Sequence, residues 1–147
     1  MLDELSRLKE VDERLEKKQL TFFQNSNCLT SFMLTMPFPG WVKDLEGRMM
    51  FCNYQYENDF GISPVIYNGK LDSQAWSKEE ASRFRKHDLE VEKSRKPIKF
   101  KEKIFNEKLK VWQELDVTKW PVTIGGFLLG IAGVVTNERT IRVKGVD

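Results

Sequence analysis

The stretch Phe127-Leu128-Leu129-Gly130-Ile131-Ala132-Gly133-Val134-Val135 narrows the fold of this chain more than any other feature. It carries no polar side chain and does not alternate. As a strand it is therefore buried on both faces, which makes it central in its sheet and covered front and back. It is far short of the roughly 20 apolar residues that span a bilayer. The rest of the chain has to supply strands on either side of it and layers above and below.

Two strands lie just upstream. Ile98, Phe100 and Ile104 face one way while Lys99, Lys101 and Lys103 face the other, the period-two pattern of a half-buried strand. Asn106-Glu107 marks a turn. From Leu109 to Val122, Leu109, Val111, Leu115 and Val117 share one face, and Trp112, Glu114, Asp116, Thr118 and Trp120 share the other. Thr123 to Gly126 turns the chain into the apolar strand. Earlier, GWVKDLEGRMMFCN from Gly40 to Asn53 reads as a hairpin. Its strands are Trp41–Lys43 and Arg48–Cys52, and Asp44-Leu45-Glu46-Gly47 is its turn.

Helices fill the intervals. Residues 1–20 contain no Gly or Pro and mix both charge signs. Met1, Leu8, Val11, Leu15 and Phe22 fit heptad core positions, with Glu4 and Lys18 in the slots between them. Such a helix packs on its own domain or pairs with another chain. Asn25-Ser26-Asn27 reads as a break and restart, and Pro37 and Pro39 end the segment. Residues 54–76 are punctuated by Gly61, Pro64, Gly69 and Asp72, giving short helical turns. Ser77 with Glu80 forms a capping box that opens a longer helix, with Ala81, Phe84 and Val91 on one side and Lys96-Pro97 at its end. The order is helix, two strands, helices, three strands: an α+β fold with a five-stranded antiparallel sheet.

Composition bounds the chemistry. The 147 residues include 24 Lys and Arg against 22 Asp and Glu, a net charge of +2, so no strong global field draws a highly charged partner. Two Cys 24 positions apart make neither a disulfide framework nor a Cys-rich zinc site. The Met1-Leu2-Asp3-Glu4 start lacks the features of a signal peptide, and a cytoplasmic location is expected. One His leaves no pair for metal ligation, and no G-x-S-x-G, Walker or H-E-x-x-H motif occurs, so neither a metal site nor an enzyme is expected.

The stretch Met36 to Val135 resembles a PAS domain, the sensory and interaction module of many bacterial signalling proteins. The matching words run in order: Pro39-Gly40-Trp41-Val42-Lys43-Asp44-Leu45-Glu46-Gly47-Arg48, Asn53, Phe60-Gly61, His87-Asp88 with Val91, Lys119-Trp120-Pro121-Val122, and Gly130-Ile131-Ala132-Gly133-Val134. The resemblance implies a five-stranded antiparallel sheet with helices on one face, a preceding helix, and a cavity between sheet and helices. It also implies dimerisation through the preceding helix, packed on the outer sheet face. Leu8, Val11, Leu15 and Phe22 would then meet Trp112 and Trp120, two indoles that are costly to leave in water.

Inside the cavity, Tyr54, Tyr56, Tyr67 and Trp76 are candidate aromatic walls, with Phe84 and Phe100 beside them. Glu102 shares the face of Ile98, Phe100 and Ile104 and can project a carboxylate inward; pairing across strands is its alternative role. His87 invites a haem-ligand reading by resemblance, against a solvent-edge imidazole paired with a carboxylate. Ser73-Gln74-Ala75-Trp76 stands where flavin photoreceptors carry a reactive Cys, so a covalent flavin cycle is not expected. No cofactor is assigned; haem or a small organic ligand stays open.

The expected organisation is a helical segment over residues 1–35, a sensory domain over 36–137 and a tail over 138–147. The expected function is a non-enzymatic sensory and protein-interaction module, homodimeric through its first helix; the alternative is a receptor whose occupancy regulates a separate effector. Between Lys78 and Lys110, 12 Lys or Arg meet 7 Asp or Glu without interleaved aromatics, so no nucleic-acid partner is expected, and no membrane.

Overall fold

A computed structural model describes residues 2–141. The chain divides into two compact units, with the break between Met33 and Leu34. The first unit is helix α1, Leu2–Thr35, which runs on to the start of the second. The expected break at Asn25-Ser26-Asn27 is absent. Asn and Ser each cost a helix interior only a few tenths of a kcal/mol, up to about 0.7, and no Gly or Pro interrupts residues 2–35. The helix is about 51 Å long at 1.5 Å per residue. Leu5, Leu8, Val11, Leu15, Leu20, Leu29 and Phe32 on it are all exposed. The side chain of Phe22, and Met1 altogether, lie outside the described residues.

The second unit holds strands β1 (Gly40–Asp44), β2 (Met49–Cys52), β3 (Ile98–Asn106), β4 (Val111–Ile124) and β5 (Phe127–Ile141). Between β2 and β3 come α2 (Tyr54–Phe60), α3 (Pro64–Tyr67), a 3-10 turn at Asp72–Gln74 and α4 (Lys78–Ser94). The sheet order is β2-β1-β5-β4-β3, with every neighbouring pair antiparallel. The apolar strand is thus central, as its lack of alternation predicts.

Its cover is incomplete at one end. Gly130 to Gly133 and Val135 are buried, but Phe127 is 77% and Leu129 46% exposed. The pairing register explains this. β1 reaches β5 only from Gly130, opposite Asp44, to Val134, opposite Gly40. Phe127 to Leu129 project beyond β1 as one arm of a hairpin with β4, closed by Gly125 and Gly126, both at positive φ. At its other end β5 continues beside β4 to Ile141, four residues beyond the expected domain boundary at 137.

Two other expectations change in detail. Leu109 is exposed, because it lies in the β3–β4 turn rather than in the strand. Ser77 caps α4 by accepting from the Glu80 amide, yet Glu80 does not complete a capping box. Its carboxylate instead accepts from the Ser77 hydroxyl at 2.9 Å and from the Phe105 amide at 3.0 Å, clamping the start of α4 to β3.

The core lies between the inner sheet face and the helices, built from Trp41, Met49, Tyr56, Phe60, Tyr67, Phe84, Ile104, Leu115, Val117 and Val135. Buried Asn53 organises its edge: Oδ1 accepts from the Gly40 and Tyr56 amides, and Nδ2 donates to the Phe38 carbonyl. One stroke therefore caps α2 and holds the approach to β1. Trp41 lies flat across Gly133, where an added Cβ would come within 2.3 Å of the indole. Gly133→Ala is expected to lower stability by about 1–3 kcal/mol through overpacking. Urea denaturation followed by Trp fluorescence measures this; an unchanged midpoint would show that the indole can move aside freely.

Candidate functional site

Strand parity puts charges where only apolar residues are expected. Lys43 follows Trp41 by two positions on β1, and Lys119 follows Val117 by two on β4, so both enter the core face. Lys119 is only 1% exposed. The helical layer answers with carboxylates. Lys43 Nζ donates to Asp72 Oδ2 at 2.7 Å and to Asp88 Oδ2 at 3.2 Å. Lys119 Nζ donates to Asp88 Oδ1 at 2.9 Å and to Glu102 Oε1 at 2.9 Å. Asp88, on α4, thus bridges two lysines from two different strands.

The chain of bonds extends at both ends. His87 Nδ1 lies 3.0 Å from Glu102 Oε1, with its ring stacked on Phe100 at 4.0 Å. A carboxylate accepts only, so the imidazole proton sits on Nδ1. At the other end the Tyr67 hydroxyl donates to Asp72 Oδ1 at 2.5 Å; the Tyr67 ring meets Tyr56 edge-on, centres 6.0 Å apart, and Trp76 Nε1 donates to the Tyr56 hydroxyl at 3.1 Å. An unbroken polar chain therefore crosses the domain from Tyr67 to His87. Both lysine ammoniums also lie 5.7 Å from the centre of the Phe84 ring, within cation–π range.

These contacts shape the titration of the groups. Burial pushes the Glu102 carboxyl up, but hydrogen bonds from His87 and Lys119 outweigh it and hold it below its usual range. Burial pulls the Lys119 ammonium down, and Glu102 with Asp88 more than reverse that. Tyr56 and Tyr67 are both raised, first by burial. Burial pushes the Cys52 thiol up to about 11, with Glu57 adding to it, so that thiol stays protonated at neutral pH.

Of the candidate pocket residues, the structure brings Tyr56, Trp76, Phe84 and Glu102 together around one cavity, with Tyr67. Trp41, Lys43, Phe60 and Lys119 share its lining. Phe100 and His87 sit outside that lining, where they stack on each other. Tyr54 is 58% exposed and is no wall: it is the first residue of α2 and faces solvent. The space for the centre of a water molecule is about 20 Å³, enough for about one water. A haem does not fit this arrangement, and His87, bound to Glu102, faces a surface groove instead. Among the described residues, Trp41 Nε1 is the one buried side-chain polar atom without a partner, and no cluster of three or more His, Cys, Asp or Glu is arranged to hold a metal. Trp112 and Trp120 are half-buried on the opposite sheet face, where Trp112 meets Phe105 edge-on at 5.4 Å.

Sequence reasoning missed Lys43, Lys119, Asp72 and the bridging role of Asp88. The signal was present: Gln113 and Lys119 share parity with Leu115 and Val117, and only an apolar-residue filter hides them.

No protein-family model matches the sequence, and no curated protein matches it. Solved structures do. The PAS domain of a Colwellia psychrerythraea protein is 12% identical, matching over 78% of this chain and 95% of that one, with a TM-score of 0.62. The PAS domain of BvgS from Bordetella pertussis is 22% identical over 86% of this chain and 89% of that one, with a TM-score of 0.61. This is a PAS fold. VqmA from Vibrio cholerae, a dimer that has a target DNA, is 18% identical over 78% of this chain but only 50% of its own, with a TM-score of 0.65; it has also been solved bound to DPO.

Two outcomes follow for the PAS interior. Asp88→Asn takes one of two carboxylate partners from each lysine, leaving Asp72 to Lys43 and Glu102 to Lys119, and should cost about 1.5–3 kcal/mol. Glu46→Gln, at an exposed 3.8 Å contact with Arg48, should change stability by no more than about 0.5 kcal/mol. Equal urea midpoints for the two variants would contradict the reading. Glu138 on β5 is pushed up to about 8 by burial, then by hydrogen bonding to Asp59 and by its charge. The folded state then holds a proton that the unfolded state has released above its ordinary carboxylate pKa. Stability from this group is present in acid and is lost as pH rises toward 8. The urea midpoint should fall between pH 5 and 8, and Glu138→Gln should flatten that fall; an unaltered pH profile in the variant would refute it.

Proposed function

We propose that this chain is a sensory and protein-interaction module without catalysis of its own, which works as a homodimer through α1 in the bacterial cytoplasm. In this reading residues 1–35 are the dimerisation segment, and the sensory domain runs from 36 past the expected 137 to the end of β5 at Ile141. The observation that carries it is the apolar set on α1. Leu8, Val11 and Leu15 stay exposed on a helix far longer than one domain needs, and a row of this kind in water marks an association surface. The solved PAS-fold neighbours support the sensory side.

The interior supports the absence of catalysis. Cys52 holds a protonated thiol and His87 is committed to Glu102, so no nucleophile–base pair is poised. The lysines of β3 support a partner other than nucleic acid: Lys101 is paired with Asp116 at 3.2 Å, and a lysine row protects an edge strand from aggregation. No described helix is long and apolar enough to cross a membrane. In the proposed dimer α1 of either copy covers Trp112 and Trp120, and output passes to a separate effector.

A second reading, a receptor for a small organic ligand, has one observation of its own. The unpartnered donor of Trp41 belongs to a residue that lines the cavity, and a ligand acceptor would satisfy it. Native mass spectrometry examines both readings in one experiment. Twice the 17.3 kDa chain mass is expected for the full chain, and the mass of a single shortened chain after deletion of residues 1–35. A full-length monomer would overturn the homodimer; a reproducible added mass lost on denaturation would favour the receptor.

A further inference from the structure

The apolar residues of α1 do more than make the helix sticky. One column recurs at every seventh position through the described helix: Leu8, Leu15, position 22 and Leu29. A strict seven-residue repeat imposes a left-handed supercoil on paired helices. The unbroken path of α1 through Asn25-Ser26-Asn27 is what lets the column run on to Leu29, with Phe32 beside it. With this column as core position a, the d positions are Glu4, Val11, Lys18, Asn25 and Phe32.

We infer that α1 pairs with α1 of a second copy as a parallel, in-register coiled coil. This deepens the homodimer reading above and rests on it. Three features choose the direction. In a parallel pair each a residue meets its own copy, so Leu8, Leu15 and Leu29 each form a wholly apolar layer. An antiparallel pair sets a against d: near full overlap it brings Leu8 to Asn25, Leu15 to Lys18 and Leu29 to Glu4. Sliding it by one heptad sets either Leu15 on Asn25 or Leu8 on Lys18. Second, Asn25 meets Asn25 only when the helices are parallel and in register, and a lone core Asn is a register-setting device because any slip leaves its amide buried without a partner. Third, the parallel register sets Arg7 at g across from Asp12 at the partner's e position, an opposite-charge pair. Lys18 tolerates the arrangement by running its stem along the core and its ammonium out to water.

The test uses the full chain with Cys28→Ser, leaving buried Cys52 in place. Leu8→Cys and Leu29→Cys are made separately; they lie about 31 Å apart along the helix. A disulfide needs Cα atoms within about 7 Å, so mild oxidation reads direction. Each variant alone should form a covalent dimer, and Glu13→Cys on the outer face should not. Crosslinking of Leu8→Cys only when it is mixed with a third variant, Asn25→Cys, would show an antiparallel pair and overturn the inference while leaving the homodimer. A monomer by native mass spectrometry of the unmutated chain would remove both. Where the Leu substitutions weaken association, a spin label at Ser6→Cys gives the same answer by pulsed EPR. About 20 Å, two helix diameters, is expected, and more than about 30 Å would contradict it.

Discussion

The bridge from Asp88 to Lys43 and Lys119 is the interaction on which the domain depends. Each oxygen of one helical carboxylate holds an ammonium from a different strand, β1 and β4, with β5 between them. Stripping water from such ions costs several kcal/mol apiece, and only close, well-directed partners offset it. α4 therefore has one position over the sheet in which every charge is matched. A helix held by apolar contacts alone can slide by a fraction of a turn at modest cost; this one cannot without taking one of its two carboxylate partners from each ammonium. The bridge contributes definition of geometry more than net stability.

That geometry leaves an interior unlike an open receptor cavity. Aromatic rings from Trp41, Tyr56, Phe60, Tyr67, Trp76 and Phe84 close on the charged chain and leave room for about one water. The chain runs from buried Tyr67 to His87 at a surface groove. A change at either end therefore alters hydrogen bonding along linked partners. This is the kind of packed, discretely bonded network that can carry a local change to a whole element. On the other sheet face Arg139 holds Asp116 through both guanidinium ends at 2.8 Å, and Glu114 at 2.7 Å, so β5 is laced to β4 near its end. The Asp116 carboxyl is held well below its usual range, first by that Arg139 contact.

Much of the fold was legible because it follows from simple periodicities. The unalternating run at Phe127–Val135 placed β5 in the middle, though its first three residues lie beyond the cover, and Gly47 and Ser77 marked a turn and a helix start. The errors share one cause. Polar residues were read by type instead of by position: Asn25 as a breaker, Glu80 as a cap completer, and Lys119 assigned to neither face of its strand. Each is decided by tertiary partners that a local window does not contain. Tyr54 fails for the complementary reason. It is aromatic, but one residue past the Asn53 cap it points to solvent, whereas Tyr56 two positions on is buried.

The central claim is that two charged lysines lie inside the domain, each locked to carboxylates. Proton–nitrogen NMR of the lysine ammonium groups in uniformly labelled protein at neutral pH addresses it directly. Slowly exchanging signals from charged ammoniums should survive, and Lys43→Met and Lys119→Met should each remove one. A spectrum in which every lysine ammonium exchanges rapidly with water would contradict the account.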